Sequence, residues 1–424
     1  MKKLTAEELL AAQGTHRIRL VDVRSVDAYN GWRFNGEARG GHIRGARSLP
    51  VKWLDYIDWP EIIRTKNILP EHAIVVYSDN REQMEKVAGQ FSRIGYPDVA
   101  LYPGLLDEWM PDRDLPMECL PNYRHLVPAS WLDGLLKTGR APEYDNDRFV
   151  LCHAHYQNRA AYEKGHIPGA VDLDTNTLES PDNWNRRSPE ELKLALEGLG
   201  IAHDTTVILY GRFSFPDNND PFPGSAAGHL GAIRCALIMM YAGVKDVRVL
   251  NGGLQSWIDA GLPLSTEDTP RRPVSDFGAP IPGRTEFIVD TPQAKEILQT
   301  PGQNLVSVRS WDEFIGKVSG YNYIQKKGRI PGAVFGNCGS DAYHMENYRN
   351  LDHTTREYHE IVDLWAEVGV TRETYNAYYC GTGWRGSEAF FNAWLMGWPR
   401  ISVYDGGWFE WSADENNPVA TGVP

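Results

Sequence analysis

The chain has 424 residues, of which 42% are hydrophobic and 23% are charged, and its formal net charge is -13. This composition is typical of a globular protein with room for two to four domains, and the negative charge excludes nucleic acid as a partner because polyphosphates need a basic surface. The cysteines are odd in number and irregularly spaced, so neither a disulfide framework nor a zinc site is predicted; they are Cys119, Cys152, Cys235, Cys338 and Cys380.

The same series of signals occurs three times along the chain, which indicates an internal repeat. Each copy has a Gly-x-Ile-x-Gly-Ala segment, then a short apolar strand pattern, and finally a segment that ends in tryptophan. These segments lie at residues 41–46, 73–77 and 103–109 in the first copy, at 165–170, 206–210 and 251–257 in the second, and at 328–333, 375–379 and 405–411 in the third.

Short apolar strands that alternate with amphipathic helices predict an α/β fold, in which each domain is a small parallel sheet with helices on both faces. Proline-rich polar stretches separate the copies, so we predict domains at 1–120, 121–274 and 275–424. The second domain has a Pro/Asn/Gly-rich insertion at 213–229. We predict that it lies over the junction with the third domain and helps to shape the site.

The third copy carries the predicted chemistry. Its strand is followed by a loop that opens a helical run, and the loop reads Cys380-Gly381-Thr382-Gly383-Trp384-Arg385. A cysteine between the carboxyl end of a strand and the start of a helix lies where backbone N–H groups converge and the helix dipole is positive, which favours a nucleophilic thiolate. Arg385 adds positive charge, and the two glycines let the backbone curl into an anion-binding cup.

This loop, together with the closing segment Asp405-Gly406-Gly407-Trp408-Phe409-Glu410-Trp411, resembles the active-site loop and closing signature of the rhodanese family of sulfurtransferases. The resemblance covers all three copies and implies three tandem rhodanese-like domains. It also implies that Cys380 takes a sulfane sulfur from a small donor anion, thiosulfate or 3-mercaptopyruvate. The persulfide would then pass its sulfur to a thiophilic acceptor such as cyanide, a thiol or a protein. No cofactor is implied.

The first two copies have no thiol at the position of Cys380. Alignment on the closing tryptophan places Ser78 there in the first copy, and Gly211 follows the strand in the second. A serine hydroxyl cannot form a persulfide, and glycine has no side chain. We therefore predict that only the third copy is catalytic.

The other loop residues complete the predicted persulfide-binding site. Gly381, Thr382 and Gly383 supply N–H groups to the cup. Trp384 either walls the pocket or packs against a neighbouring domain, and the sequence does not decide between the two.

Arg309 is the one predicted site residue outside the loop. It occupies the arginine position of the family's Asp-x-Arg sequence, and it either binds the sulfur species or forms a structural ion pair. Two-domain relatives have a substrate-binding arginine four residues later, where this chain has Glu313. Their substrate preference therefore does not carry over directly.

Two other cysteine motifs are open to a functional interpretation. Cys338 could resolve a persulfide on Cys380 into a disulfide, although loop packing is favoured. The segment Cys152-His153-Ala154-His155 has two histidines on one face of a strand but no third ligand, so no metal site is predicted.

Two further functions are compatible with the loop. Domains without a loop cysteine could dock a protein sulfur donor, such as a cysteine desulfurase, or a thiol acceptor, so that the protein acts as a persulfide relay. A Cdc25-type phosphatase also uses a cysteine loop closed by arginine. Its loop has five residues between cysteine and arginine, whereas four separate Cys380 from Arg385, and the tighter ring fits one sulfur atom better than a phosphate.

The chain begins with Met1-Lys2-Lys3, as signal peptides do, but Thr5-Ala6-Glu7-Glu8 follows where an apolar region should stand. As given, the chain is predicted to be cytoplasmic; a leader removed before Met1 would make it periplasmic. The apolar run at 235–244 is about half of a membrane span. It predicts a buried helix and no association with a membrane.

Overall fold

The computed structural model describes residues 1–13, 18–213 and 228–424. Within them the chain forms two compact units, Met1–Arg124 and His125–Pro424. Most of the predicted insertion at 213–229 lies outside the described residues, and so does the hypothesis that this insertion shapes the site.

The first unit alternates short strands and helices. Its strands are β1 (Lys2–Lys3), β2 (Ile18–Asp22), β3 (His42–Ile43), β4 (Arg47–Ser48), β5 (Ala73–Tyr77), β6 (Val99–Tyr102) and β7 (Met117–Glu118). Its α-helices are α1 (Ala6–Gln13), α2 (Val26–Asn30), α3 (Trp59–Thr65) and α4 (Arg81–Arg93).

The second unit contains two further sheets, which we call the second and third domains. The second domain has β8 (Leu126–Val127), α5 (Ala129–Thr138), β9 (Phe149–His155), α6 (Arg159–Lys164), β10 (Val171–Asp174), α7 (Pro189–Leu199), β11 (Thr206–Gly211), α8 (Gly228–Ala242), β12 (Asp246–Leu250) and α9 (Gly253–Asp259). The third domain has β13 (Ile288–Val289), α10 (Thr291–Ile297), β14 (Gln303–Ser307), α11 (Trp311–Phe314), β15 (Val334–Phe335), α12 (Tyr358–Ala366), β16 (Tyr375–Tyr379), α13 (Trp384–Leu395), β17 (Ile401–Tyr404) and α14 (Gly407–Ala413).

The three main sheets share one strand order. The order is β1-β6-β5-β2-β4 in the first domain, β8-β12-β11-β9-β10 in the second and β13-β17-β16-β14-β15 in the third. The strand pairs within each of these sheets are parallel, and β3 and β7 form a separate antiparallel pair. The prediction of an α/β fold with three repeated parallel sheets is therefore confirmed.

The closing tryptophans of the repeat have a common structural role. Trp109, Trp257 and Trp411 are all buried. Each donates its indole N–H to a proline carbonyl six or seven residues later, at 3.2, 2.9 and 2.9 Å respectively. Because a buried indole needs both an apolar pocket and an acceptor, this pairing explains why a tryptophan ends each copy of the repeat.

Two long helices lie at the centre of the second unit. Every residue of α8 is buried, including the charged Arg234, and the prediction of a buried helix around Cys235 is confirmed. It packs against α13, in which almost every residue is also buried. The second domain therefore lies directly behind the loop that begins at Cys380. Among the described helices, none combines the length and the apolar character needed to cross a membrane.

Candidate active site

Cys380 directly follows β16, an inner strand of the third sheet, and its side chain is 1% exposed. The carbonyl groups of Cys380 and Gly381 accept hydrogen bonds from the main-chain N–H of Trp408 and Phe409, at 2.8 and 2.9 Å. Since a trans peptide group points its N–H away from the preceding carbonyl, the N–H groups of Gly381 and Thr382 face away from α14. The loop is held on one side and presents main-chain donors on the other.

Both loop glycines are required by their surroundings. A Cβ on Gly381 would stand 2.4 Å from Cε2 of Tyr321, which is closer than Cβ atoms approach other atoms. Gly383 has a φ of +83°, and it is the N-cap of α13 without a side-chain hydrogen bond. No side chain at the cap therefore competes for the first N–H groups of α13, which suits this helix end to an anion.

Arg385 lies inside the protein with its guanidinium group engaged on several sides. Its Nη1 and Nη2 donate to the two carboxylate oxygens of Glu313 at 2.9 and 2.8 Å. Nη2 also donates to the hydroxyl of Tyr321 at 2.5 Å, and Nη1 lies 3.3 Å from Sγ of Cys338. The sequence predicted that Arg385 adds positive charge to the persulfide-binding site. Its principal partner in the structure is a carboxylate of its own domain.

Glu313 connects the two arginines of the predicted site. It is fully buried and also accepts a hydrogen bond from Nε of Arg309 at 3.2 Å and from the N–H of Ser310 at 2.9 Å. Burial alone would raise the pKa of Glu313, but Arg385 and Arg309 outweigh it and lower the pKa to about 2. Glu313 is therefore ionised at neutral pH and fixes the orientation of Arg385.

The contacts of Arg309 are those of a structural residue. Besides Glu313, its guanidinium donates to the carbonyl groups of Gly328 and Ser319 at 2.7 and 3.2 Å, and it lies over the ring of Trp408. These contacts favour the ion-pair interpretation of Arg309 over direct binding of the sulfur species.

Two tyrosines from a loop of the third domain lie beside Cys380. Burial raises the pKa of the Tyr321 hydroxyl well above its usual value, Arg385 opposes this, and the Cys380 anion adds to it. Burial and then the Cys380 anion also raise the pKa of Tyr323. Tyr321 thus remains a neutral O–H donor at neutral pH. Nothing in the sequence pattern indicated these residues.

The second domain provides a wall of the site. Nε1 of Trp384 donates to both carboxylate oxygens of Glu179, at 3.1 and 3.0 Å, and the Trp384 ring packs edge-on against Tyr156. Glu179 in turn accepts from Nε of Arg234 at 3.1 Å. Of the two roles predicted for Trp384, packing against a neighbouring domain is observed, and it occurs within the wall of the site.

Aromatic side chains of both domains lie at the edge of this wall. The ring centroid of Trp184, from the second domain, lies 4.7 Å from that of Tyr323 and 5.5 Å from that of Phe409. Tyr323 remains 36% exposed. The group defines an aromatic rim, built from Trp184, Tyr323 and Phe409, next to the Cys380 loop.

Cys338 is closer to the site than its position in the sequence suggested. It is buried, and burial raises the pKa of its thiol to about 12 although Arg385 lies beside it. A thiol that stays protonated is a poor nucleophile, so these surroundings favour packing over attack on a persulfide.

The contribution of the second domain could not be read from local motifs. Glu179 and Arg234 are about 200 and 150 residues away from the loop in sequence. Phe213, the first residue of the predicted insertion, stacks on His353 of the third domain with ring centroids 4.1 Å apart. Only the fold brings Glu179 and Arg234 to the site and Phe213 to the junction of the second and third domains.

Comparison with known proteins agrees with this architecture. The family model described as a rhodanese-like domain matches residues 5–112, 145–260 and 290–414. Thiosulfate sulfurtransferase YnjE of Escherichia coli (strain K12) is 38% identical, and the match covers 99% of this chain and 92% of YnjE. Sulfur carrier protein TtuD of Thermus thermophilus is 30% identical over 71% of this chain and 99% of its own.

Solved structures of EanB are also similar. The wild-type EanB structure is 61% identical in sequence and has a TM-score of 0.98, and the match covers 100% of this chain and 98% of that one. Other EanB structures hold hercynine or ergothioneine, and one holds a cysteine persulfide in a tetrahedral intermediate state with ergothioneine. Given three matching domains over most of its length, this chain belongs to the rhodanese-like family of sulfurtransferases.

Proposed function

We propose that this protein transfers a sulfane sulfur from a persulfide on Cys380 to C2 of the imidazole ring of hercynine, and so forms ergothioneine. Hercynine is the trimethylammonium betaine of histidine, and ergothioneine carries a sulfur on that ring carbon. The observation that carries the proposal is a shared set of residues at shared spacings around the cysteine.

Variants of EanB studied with these ligands replace a tyrosine 59 residues before the persulfide cysteine and a threonine two residues after it. In this chain Tyr321 and Thr382 stand at the same distances from Cys380. A further EanB cysteine, 42 residues before, corresponds to Cys338, whereas one 73 residues before corresponds to Ser307. If the function is shared, a thiol at the position of Ser307 is not needed for it.

The proposed reaction is a two-electron transfer of neutral sulfur. The outer sulfur of the Cys380 persulfide anion attacks C2 of the neutral imidazole while the basic ring nitrogen takes up a proton, which gives a tetrahedral carbon that bears both hydrogen and sulfur. The C2 proton then leaves to a base, its bonding pair forms the C=S bond, and the S–S bond breaks with its pair on Sγ of Cys380. The ring carbon is oxidised, the disulfide-type bond is reduced, and the thiolate is regenerated.

Tyr321 is suited to hold the imidazole. Its hydroxyl oxygen accepts from Arg385 at 2.5 Å, so its own hydrogen is left to donate to another acceptor. Because its pKa is raised, it keeps that hydrogen at neutral pH. The hydroxyl would donate to a ring nitrogen and support the charge changes at C2.

The aromatic rim suits the other end of hercynine. A quaternary ammonium group is attracted to the faces of tryptophan and tyrosine rings, and Trp184 and Tyr323 place such rings side by side at the edge of the site. The loop N–H groups and the N-terminal end of α13 would stabilise the anionic sulfur on Cys380.

The test is to load the protein with thiosulfate or 3-mercaptopyruvate, remove excess donor, add hercynine and measure ergothioneine by mass spectrometry. We expect one ergothioneine for each persulfide consumed, none with Cys380→Ser, and a strong decrease with Tyr321→Phe. A persulfide that forms on Cys380 but is discharged by cyanide or a thiol and never by hercynine would contradict the proposal.

The similarity to YnjE and TtuD favours a second candidate, in which the persulfide is passed to a small thiophilic acceptor or a protein. Both candidates share the first half of the reaction. Competition decides between them, because an acceptor thiol that discharges the persulfide much faster than hercynine would favour the second. The phosphatase alternative gains no support, because Nη1 and Nη2 of Arg385, which would bind a phosphate, donate to Glu313.

A further inference from the structure

The side chain of Arg234 reaches from α8 of the second domain to the Cys380 loop of the third. Its Nε donates to Glu179 at 3.1 Å, and its Nη2 donates to Asp405 at 2.6 Å and to the carbonyl of Trp184 at 2.7 Å. The guanidinium is planar, so these three hydrogen bonds fix the direction of the remaining nitrogen, Nη1.

Nη1 of Arg234 lies against the loop itself. It stands 3.1 Å from the position that a Cβ on Gly383 would occupy, and Cζ stands 3.4 Å from the same point. Arg234 is fully buried, and within the described residues Nη1 has no hydrogen-bond partner. A buried cationic N–H without an acceptor is costly, so its presence beside the loop calls for an explanation, and a bound anion is one.

A second buried donor lies at the other end of the same loop. Nε of Arg385 also has no hydrogen-bond partner among the described residues. Arg234 lies against Gly383, the N-cap of α13, and Arg385 is the second residue of that helix. Two buried cationic donors without a partner beside one loop favour an anionic over a neutral group at this loop.

We propose that the second domain, which has no loop cysteine of its own, completes the sulfur site of the third domain through Arg234. Arg234 is a positioning residue that holds Gly383 in place, and its Nη1 supplies positive charge for the anionic sulfur on Cys380. Glu179 sets the direction of the guanidinium and also fixes Trp384. The inference rests on the persulfide half of the proposed function and not on its acceptor.

The test separates an electrostatic role from a structural one by the sign of the effect. Arg234→Met removes a positive charge from beside the loop. Burial raises the pKa of Glu179 to about 7, so Glu179→Gln removes a negative charge in the part of the pH profile above about pH 7. We measure the rate at which iodoacetamide alkylates Cys380 as a function of pH, by mass spectrometry of the Cys380 peptide. The midpoint of this profile should move to higher pH by about one unit in Arg234→Met and to lower pH in Glu179→Gln.

The rate of persulfide formation from thiosulfate, read from the gain of one sulfur in the intact mass, should fall about tenfold or more in Arg234→Met. Arg234→Lys keeps the charge and should restore the alkylation midpoint.

The matched control is Arg349→Met. Arg349 is also paired to α13, with Nε 2.7 Å from Glu388, and lies at the same domain junction over the ring of Phe213.

Midpoints that move in the same direction in Arg234→Met and Glu179→Gln, or that match the Arg349→Met control, would overturn the proposal. If Arg234→Met does not fold, Glu179→Gln decides the question alone, because a merely loosened junction would not lower the midpoint. Hercynine is absent from these measurements. A protein that forms the persulfide as expected but never converts hercynine would refute the proposed acceptor and leave the role of Arg234 intact.

Discussion

The loop after β5 in the first domain and the loop after β16 in the third occupy the same position in two copies of one fold, yet they treat the following helix differently. In the first, Ser78 follows the strand, and the side chain of Asn80 caps α4 by accepting from the N–H of Gln83 at 3.1 Å. In the third, Cys380 follows the strand, and Gly383 caps α13 without a side chain.

This difference between the N-caps of α4 and α13 shows how the same fold can either lack or provide an anion site at the start of a helix. An asparagine cap satisfies a helix N–H from within the protein and stabilises the helix end. A glycine cap leaves the N–H groups for another acceptor and gives up that stabilisation. The loop after β16 combines a helix end without a side-chain cap with a thiol, and the loop after β5 has neither feature.

The largest effect is expected when Cys380, the first residue after β16, is replaced by serine, the residue type that follows β5 in the first domain. Cys380→Ser should reduce sulfur transfer on the order of 10⁴-fold or more, since a hydroxyl cannot carry the sulfane sulfur. Transfer from thiosulfate to cyanide measures this, with circular dichroism to show that the variant is folded. Residual sulfur on the serine variant, mapped to another cysteine, would contradict a single catalytic thiol.

The second largest effect is expected from removing the buried charge of Glu313, which pairs with Arg385 and Arg309. Glu313→Gln leaves Arg385 and Arg309 without their shared carboxylate and should lower the free energy of unfolding at pH 7 by about 3 kcal/mol. The pKa of Glu313 is lowered to about 2, so its stabilising effect is present above the unfolded pKa of about 4.5 and is lost as the pH falls toward 2.

The difference between wild type and Glu313→Gln in urea unfolding should therefore shrink between about pH 5 and pH 2. Glu85→Gln, in an exposed ion pair with Arg81 on α4, is the control and should leave stability almost unchanged. A gap between wild type and Glu313→Gln that stays constant over this pH range would show that the charge of Glu313 is not what stabilises the site.

A smaller effect is expected when Gly383, the N-cap of α13, is replaced by asparagine, the residue type that caps α4. Gly383→Asn introduces a side chain that can accept the helix N–H and that must push against Arg234. Asparagine tolerates the left-handed backbone, so the fold should persist while persulfide formation falls about a hundredfold. Intact-mass kinetics with thiosulfate test this. Unchanged kinetics would mean that the helix N–H groups do not bind the sulfur.

The smallest effect is expected from the reverse change. Ser78→Cys places a thiol after β5, but α4 remains capped by Asn80, so the new cysteine should gain no sulfur. The double variant Ser78→Cys with Cys380→Ser should be as inactive as Cys380→Ser alone. A persulfide on the introduced cysteine would show that the thiol alone, and not its surroundings, separates the two loops.

The repeat, the α/β fold and the Cys380 loop were predictable because they depend on short-range patterns. Strand and helix periods, the glycines of a turn, and the buried tryptophan that closes each copy all act within a few residues. The family and the three-domain organisation followed from these patterns and are confirmed. The proposed domain boundaries stay predictions.

The partners of the site residues were decided by packing across long separations in sequence. Arg385 was placed at the loop by its sequence position, but its engagement with Glu313 and Tyr321 depends on α11 and the segment after it packing against the Cys380 loop. Glu179 and Arg234 reach the site only because α8 and α13 bury each other's apolar surface. Burial and neighbouring charge set the chemistry of a thiol, and both are properties of the assembled domains rather than of any local stretch of residues.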